Sequence, residues 1–168
     1  MRIAALSGGV GGARFLRGLV DVVDPAGLTA IVNVGDDLDV LGLAVSLDLD
    51  SVLYTLADLS DEGRGWGRAD ETWNALAAVE ALGGDAWFRL GDRDLGLHLV
   101  RTQALRAGEP LSTVTARLAA ALGLEPAILP ATDDPLRTFV DTPNGGFDFQ
   151  HWFVARGRSR AFAVWVVA

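Results

Sequence analysis

The sequence contains no cysteine and no lysine, and these absences exclude several chemistries. Without cysteine there are no disulfide bonds, thiolate metal sites or cysteine nucleophiles. Without lysine there is no Schiff-base catalysis and no Walker A loop, because that motif ends in Lys-Ser or Lys-Thr. Positive charge is scarce as well, and the net charge is −8 at pH 7. We expect no nucleic-acid partner, because nucleic-acid binding needs a basic surface.

Long hydrophobic runs are also missing, although half of the residues are hydrophobic. No apolar segment reaches the ~18 residues that a membrane span needs, and no signal-peptide pattern opens the chain. We therefore expect a cytoplasmic protein without a membrane partner. The 168 residues suffice for one domain with a real core, and no linker or repeat divides them. The expected organisation is a single α/β domain over residues 1–168.

The segment around which the chain is organised is residues 3–15, with the sequence IAALSGGVGGARF. An apolar run ends there, four glycines surround Val10, and a helical pattern begins near Ala13. A strand, a glycine turn and a helix together can hold a phosphate, because bare backbone approaches an anion closely and the helix N-terminus carries partial positive charge. The alternative is a tight turn without a ligand. The predicted contacts are Ser7, Gly8, Gly9, Gly11, Gly12 and Arg14.

Two details narrow this prediction. The spacing fits the dinucleotide fingerprint poorly, because Arg14 stands where a third small residue is needed for close packing of helix and strand. The turn is therefore predicted to be a phosphate cradle of another kind. Within it we expect Gly11 to need a positive φ angle, and Arg14 to add a fixed positive charge.

Acidic residues follow the second predicted strand, at residues 28–34. Continuous apolar strands joined by helices indicate a parallel sheet covered on both faces, and ligands of such sheets lie at the carboxyl ends of the strands. Aspartates at that edge are suited to Mg²⁺, a hard ion that shares oxygen ligands with substrate phosphates. Each aspartate alone has an ordinary alternative as a helix N-cap or a solvated charge. The predicted metal ligands are Asp36, Asp37, Asp48 and Asp50, of which Asp36 and Asp50 are also the predicted catalytic residues.

The remaining segments supply weaker signals. Trp66 lies in a glycine-tryptophan loop and either faces a planar ligand or is buried in a surface turn. Asp94, His98 and Arg101 share one stripe of a helix predicted over about residues 92–107, and that stripe is either solvated or lines a site. Further helices are predicted at residues 13–23, 51–59, 71–82 and 111–122, a short strand at 87–90, a hairpin around 143–146 and an apolar strand at 161–168.

Eight motifs in chain order resemble one family closely. They are SGGVGGARF, VNVGDD, DLDSVLYTL, GWG, WFRLGDRDL, HLVRT, LPATDDPLRT and FQHWFV. The chain resembles the 2-phospho-L-lactate transferase (CofD/FbiA) family of coenzyme F420 biosynthesis, over nearly the whole length up to Val154. The resemblance implies a Rossmann-like parallel sheet with flanking helices, into which the predicted hairpin near the C-terminus is inserted.

The resemblance also implies an activity. A guanosine-diphosphate-activated phospholactate or phosphoenolpyruvate is the donor, the ribityl hydroxyl of the deazaflavin Fo is the acceptor, and GMP is released in a Mg²⁺-dependent transfer. The glycine turn would hold the diphosphate, the aspartates would hold Mg²⁺ or orient the hydroxyl, and Trp66 would stack on the deazaflavin or on guanine. The implied substrate-binding set also contains Asn33, Arg93, His98 and Arg101.

Family members are about twice as long, so the resemblance is to their N-terminal half. We expect the chain alone to bind the donor weakly, to lack turnover and to self-associate. One alternative is a nucleotide-sugar-binding regulator similar to the gluconeogenesis-factor relatives, and another is an inactive fragment. Asp36-Asp37 followed by Asp48-Leu49-Asp50 favours the transferase. The choice between the two donors, and between a monomer and a homodimer, stays open.

Overall fold

The computed structural model describes residues 1–155, 157 and 160–167. A short 3-10 turn, Pro25–Gly27, precedes the second strand, and a π-helical turn, His151–Ala155, follows the seventh. The elements are β1 (Ile3–Ser7), α1 (Gly9–Val20), β2 (Leu28–Val32), β3 (Leu38–Val40), β4 (Leu43–Val45), α2 (Leu47–Leu56), α3 (Asn74–Ala81), α4 (Asp92–Arg106), α5 (Leu111–Ala121), β5 (Ala127–Pro130), β6 (Arg137–Thr142), β7 (Gly145–Asp148) and β8 (Ala163–Val167).

The centre of the fold is a parallel sheet with the strand order β1-β2-β5. Both pairings are parallel, and Ala5, Ala30 and Ile128 stand side by side across it. Successive strands are joined through helices, which confirms the predicted Rossmann-like arrangement. Because the strands run in the same direction, the ends of β1 and β2 lie at one edge, where the chain leaves each strand for a polar turn.

The hydrophobic core lies on one face of this sheet. Ala5, Ala30 and Ile128 are buried there against residues of α1, α2 and α5. The hydrophobic helix residues with the least exposure are Ala13, Leu16, Leu49, Val52, Leu53 and Val114. Helices were expected on both faces, but within the described residues the opposite face stays partly open: Leu6 is 81% exposed.

Two helices begin earlier than the sequence pattern predicts. Helix α1 starts at Gly9 instead of near Ala13, so the glycine-rich segment is largely helical. Helix α2 starts at Leu47 with Ser46 at its N-cap position. Asp48 and Asp50 therefore lie in the first turn of α2, and the alternative in which either of them is the N-cap is wrong. The strand predicted at residues 87–90 is not formed.

Several acidic side chains stabilise helix ends across the chain instead of at their own helix. The Asp92 carboxylate accepts hydrogen bonds from the backbone N–H groups of Asn74 and Ala75, both at 3.0 Å, at the start of α3. The Glu71 carboxylate accepts from the N–H groups of Arg93 and Asp94, both at 2.8 Å, at the start of α4. Asp92 itself is the first residue of α4, whose N-cap residue is Gly91. This reciprocal pair fixes α3 against α4.

The C-terminal part forms a separate antiparallel sheet with the order β7-β6-β8. The predicted hairpin is confirmed, with β6 and β7 joined by a two-residue turn at Pro143 and Asn144. The predicted terminal strand is confirmed over β8, which pairs with the other edge of β6. The last residue of that prediction, Ala168, lies outside the described residues. Among the helices described, none has the length and apolar character to cross a membrane.

Candidate phosphate-binding site

The turn between β1 and α1 is built by glycines with different tasks. Gly8 has extended backbone angles, and Gly9 follows with a φ of 62°. A residue with a side chain is strained in that left-handed conformation, so Gly9 is needed for the chain to turn directly from strand to helix. Gly11 does not have a positive φ, and a Cβ there would meet open space. The expectation that Gly11 is the strained position is wrong.

Gly12 allows the helix to pack closely on the end of the strand. A Cβ built on Gly12 would lie 2.5 Å from Ser7 Oγ, which is shorter than the van der Waals contact of two non-bonded atoms. Ser7 Oγ itself is buried and has no hydrogen-bond partner within the part of the chain that the structure describes. The first turn of α1 contains no acidic residue. No carboxylate of α1 itself therefore opposes an anion at this helix N-terminus, and a buried hydroxyl lies beside it.

The end of β2 is tied to the start of α2 directly below this turn. The Asn33 amide nitrogen donates to Asp48 Oδ2 at 2.9 Å, and Asn33 Oδ1 accepts from the Gly35 backbone N–H at 3.1 Å. A Cβ on Gly8 would lie 3.1 Å from Asp48 Oδ2, so this carboxylate lies against the glycine turn. Asn33 thus connects Asp48 to the backbone of Gly35, using both ends of its side-chain amide. Its predicted role in substrate binding stays a prediction.

The acidic turn after β2 places two carboxyl groups in different surroundings. Burial, followed by the negative charge of Asp48, raises the pKa of half-buried Asp36. Burial also raises the pKa of Asp37 to about 7, although a hydrogen bond from Ser46 and the charge of Arg101 act in the opposite direction. Ser46 Oγ donates to Asp37 Oδ2 at 2.7 Å, whereas Asp37 Oδ1 is buried without a partner in the described residues.

We predict that this turn makes stability fall as the pH rises. The carboxyl of Asp37 binds a proton more tightly in the folded chain than at its usual pKa of 3.8. Between about pH 4 and 7 the folded state therefore holds more protons than the unfolded state, and its stability decreases through that window. Urea unfolding with EDTA present at a series of pH values measures the slope, and Asp37→Asn should flatten it. An equal slope in the variant would contradict the prediction.

Asp50 is held differently from the other predicted metal ligands. Its carboxylate forms a two-pronged ion pair with Arg101, in which Nη1 lies 3.1 Å from Oδ2 and Nη2 contacts Oδ1. Arg101 is fully buried, and Asp50 is only 5% exposed. Burial lowers the pKa of the guanidinium, but the charge and hydrogen bonds of Asp50 outweigh that effect and raise it. This geometry favours a role for both residues in holding α4 against α2.

His98 belongs to the same buried network. Its Nε2 lies 3.1 Å from Asp94 Oδ1, and its Nδ1 lies 3.4 Å from Arg101 Nη1. The Tyr54 hydroxyl donates to Asp94 Oδ1 at 2.5 Å. Burial raises the pKa of Asp94, but the interactions with His98, the hydrogen bond from Tyr54 and the charge of Arg101 together lower it by more. The predicted stripe of α4 is thus a buried polar layer behind the acidic turn. Arg93, by contrast, is exposed.

Two cavities open beside the turns. The first has a volume of about 320 Å³ and brings together Val10, Arg14 and Trp66, so two predicted binding residues share one pocket. Trp66 is 46% exposed, and the Arg64 guanidinium lies 5.2 Å from its ring centroid. The second has a volume of about 540 Å³ and lies against Asp37 and Ser46. Its remaining wall is mixed in character and includes Val34, Leu38, Val45, Asp133, Asp134, Leu136 and Arg137.

The described residues contain no group of three His, Cys, Asp or Glu side chains arranged to hold a metal ion. A magnesium ion that shares its ligands with a diphosphate needs only one or two carboxylates from the protein. Asp36 and Asp48 fit that requirement, because their charges interact and, among the residues that the structure describes, no arginine forms an ion pair with either of them. Asp50 does not fit as well, because Arg101 already neutralises its charge.

Several residues near the site were not predicted from the sequence, because their contacts depend on how the chain folds. Ser46 was not a candidate, yet it is the hydrogen-bond partner of Asp37. Arg17 of α1 and the loop residues Asp58 and Asp61 after α2 also line the first cavity. The position of Ser46 just before an amphipathic helix was the one available signal, because serine is common at N-caps.

These features define an α/β protein with a parallel sheet and a glycine turn at the carboxyl edge of its strands. A family model described as 2-phospho-L-lactate transferase CofD matches residues 3–167. The chain is 47% identical over 159 residues to a phosphoenolpyruvate transferase of Streptomyces griseus, covering 92% of this chain and 50% of that protein. A phosphoenolpyruvate transferase of Nocardia farcinica is 49% identical over 163 residues, covering 91% and 48%. The chain belongs to the 2-phospho-L-lactate transferase CofD family.

Solved structures show the same fold at low sequence identity. A member of the upf0052 family from Bacillus halodurans, BH3568, superimposes with a TM-score of 0.57 at 18% identity. That alignment covers 98% of this chain and 50% of the solved chain. The chain likewise spans about half the length of the curated relatives that it matches.

Proposed function

We propose that the chain is the donor-binding part of a phosphoenolpyruvate transferase of coenzyme F420 biosynthesis. The observation that carries the proposal is the turn in which Gly9 and Gly12 bring the N-terminus of α1 onto the end of β1, next to Asp48. Phosphoenolpyruvate is preferred to phospholactate because the relatives at 43–51% identity carry that name. The donor is then phosphoenolpyruvate activated by a guanosine diphosphate linkage, and the acceptor is the deazaflavin Fo.

The donor would lie along the glycine turn. Its diphosphate would accept hydrogen bonds from the free N–H groups of the first turn of α1 and from Ser7 Oγ. Val10 belongs both to that turn and to the first cavity, so the nucleoside would extend into that cavity toward Trp66. The exposed indole face offers stacking to guanine, and Arg14 adds positive charge near the phosphates.

The acceptor would occupy the second cavity. Its volume of about 540 Å³ is within the usual range for small-molecule sites, and its wall is partly apolar. In the transfer, the acceptor hydroxyl attacks the phosphorus that carries the phosphoenolpyruvyl group, and GMP leaves. Asp37 lies against this cavity, and its pKa of about 7 suits a group that accepts the hydroxyl proton.

A magnesium ion would be held by Asp36 and Asp48. When bound, it would neutralise charge on the diphosphate, which is the main requirement of phosphoryl-type transfer. Asn33 would keep Asp48 in place through the 2.9 Å hydrogen bond. Asp50 and Arg101 would hold α2 and α4 together behind these residues.

We predict that Gly9→Ala weakens binding of GDP by roughly tenfold, because Ala at a φ of 62° is strained by about 1–2 kcal/mol and relaxation would turn the N–H groups away. Isothermal titration calorimetry with GDP and Mg²⁺ measures the effect. Gly18→Ala, in the same helix with open space around it, is the matched control. Equal affinities of the two variants would rule out the turn as the diphosphate site.

Mass spectrometry tests the whole proposal. The chain is incubated with Fo, the guanylylated phosphoenolpyruvate donor and Mg²⁺, alone and together with the half of a curated relative that it does not span. The expected product is Fo carrying the phosphoenolpyruvyl group, with GMP in equal amount. A parallel reaction contains the guanylylated phospholactate donor instead, and transfer from that donor alone would correct the donor. Binding of a nucleotide sugar in native mass spectra, without turnover of either donor, would favour the regulator.

A further inference from the structure

One face of the parallel sheet remains open in the described part of the chain. The side chains that point away from the core form two rows across β1, β2 and β5. These rows are Ala4, Thr29 and Ala127, followed by Leu6, Ile31 and Leu129. Leu6 is 81% exposed and Leu129 is 39% exposed, and Ile31 on the central strand is only half-buried. Large apolar side chains in adjacent register are typical of a face that packs against another layer.

The strand order explains why this face is open. From β1 the sheet grows in one direction only, through β2 to β5. Right-handed crossovers place the helices of such a sheet on the same side, and α1, α2 and α5 do share one core. In a doubly wound fold, a second set of strands starts at the other edge of the first strand, and its helices cover the opposite face. In the sheet described here, β1 is an edge strand.

The lengths of the relatives bear on what could cover the open face. The relatives and the solved structures of this fold are about twice as long as the stretch they share with this chain. We propose that the open face and the free edge of β1 form an interface for a polypeptide that supplies the second winding, and that the unmatched half of the relatives is such a polypeptide. Its chemistry is a strand that pairs with β1 and a helix whose apolar stripe covers Leu6 and Ile31.

This interface would also complete the candidate site. The glycine turn follows β1, so a strand added at its free edge ends beside that turn, at the point where the two windings diverge. Ligands of open parallel sheets bind at such points. The second polypeptide would thus provide a further wall for the donor, which goes beyond the residues assigned above.

The absence of cysteine allows a clean labelling experiment. Leu6→Cys carries a single thiol on the open face, and Leu82→Cys is its control, because Leu82 is 88% exposed and lies at the C-cap of α3. Each variant is co-expressed with the unmatched half of the Streptomyces coelicolor phosphoenolpyruvate transferase, whose other half aligns at 46% identity. In the purified complex, maleimide labelling of Leu6→Cys should slow by at least roughly tenfold, because it then requires opening of the interface. Labelling of Leu82→Cys should not change.

A second pair of variants tests the contact directly. Leu6→Asp should prevent co-purification of the two polypeptides, because it would bury a carboxylate, whereas Leu82→Asp should not. Unaltered labelling of Leu6→Cys in the co-expressed sample would overturn the proposal. Protection of that thiol in the chain alone, increasing with concentration, would show a homodimer instead. These readouts do not involve transfer activity, so their failure leaves the proposed function to its own tests.

Discussion

Asp50→Asn is expected to lower the free energy of unfolding by about 3–5 kcal/mol, a large part of the stability of a domain of this size. The change leaves the guanidinium of Arg101 buried without its ion-pair partner, while the side chain at position 50 keeps its shape. Arg101 is 0% exposed, so water cannot replace the lost partner. Urea unfolding followed by tryptophan fluorescence measures the effect.

The control is a variant that removes both charges. Asp50→Asn combined with Arg101→Met should recover part of the lost stability, because neither charge then remains buried alone. The resemblance to the family predicts a different result, in which Asp50 is a metal ligand. If Asp50→Asn keeps its stability and loses only the response to Mg²⁺, the ion pair is not the main role of Asp50.

The local parts of the fold were predictable because their signals are short in sequence. The apolar run of β1, the glycines after it and the apolar spacing of α1 indicate strand, turn and helix without reference to anything else. The start of α1 was misplaced because glycine disfavours helix interiors, whereas Gly9 and Gly12 are used here for a left-handed turn and for close packing.

The organisation of the polar residues was only partly predictable. Sequence spacing indicates that Asp94, His98 and Arg101 share a helix face, and this is what the structure shows. It does not indicate that Arg101 pairs with Asp50, 51 residues away, because such pairing depends on the packing of α4 on α2. For the same reason, the contact that holds Asp92 against the start of α3 was not visible in the sequence.

The open face of the sheet has a related explanation. The sequence predicts that the strands containing Leu6, Ile31 and Leu129 are buried, because an apolar strand face normally packs against another layer. The composition does not indicate whether the layer that packs against this face belongs to the same 168 residues. The apolar sequence of these strands and the exposure of their outer face therefore disagree. This disagreement is the basis of the proposed interface.

Asp48→Asn is expected to weaken the Mg²⁺-dependent binding of GDP by roughly tenfold to a hundredfold, the range found even for residues that only support metal ligands. The amide oxygen of the new side chain can still accept the hydrogen bond from Asn33, so the connection between β2 and α2 is kept. What is lost is the negative charge next to the glycine turn. Stability should change little, because Asp48 is not paired with an arginine in the described residues.

Calorimetry with GDP separates this role from a structural one when it is run with Mg²⁺ and again with EDTA. With Mg²⁺ the affinity of Asp48→Asn should fall, and with EDTA it should equal or exceed that of the unaltered chain, because one charge that repels the diphosphate is gone. Glu125→Gln removes the same charge at an exposed residue before the start of β5, which lines neither cavity. An equal loss in both variants would mean that net charge, and not a metal held by Asp48, sets the affinity. A loss in Asp48→Asn that persists with EDTA would assign Asp48 to the shape of the turn.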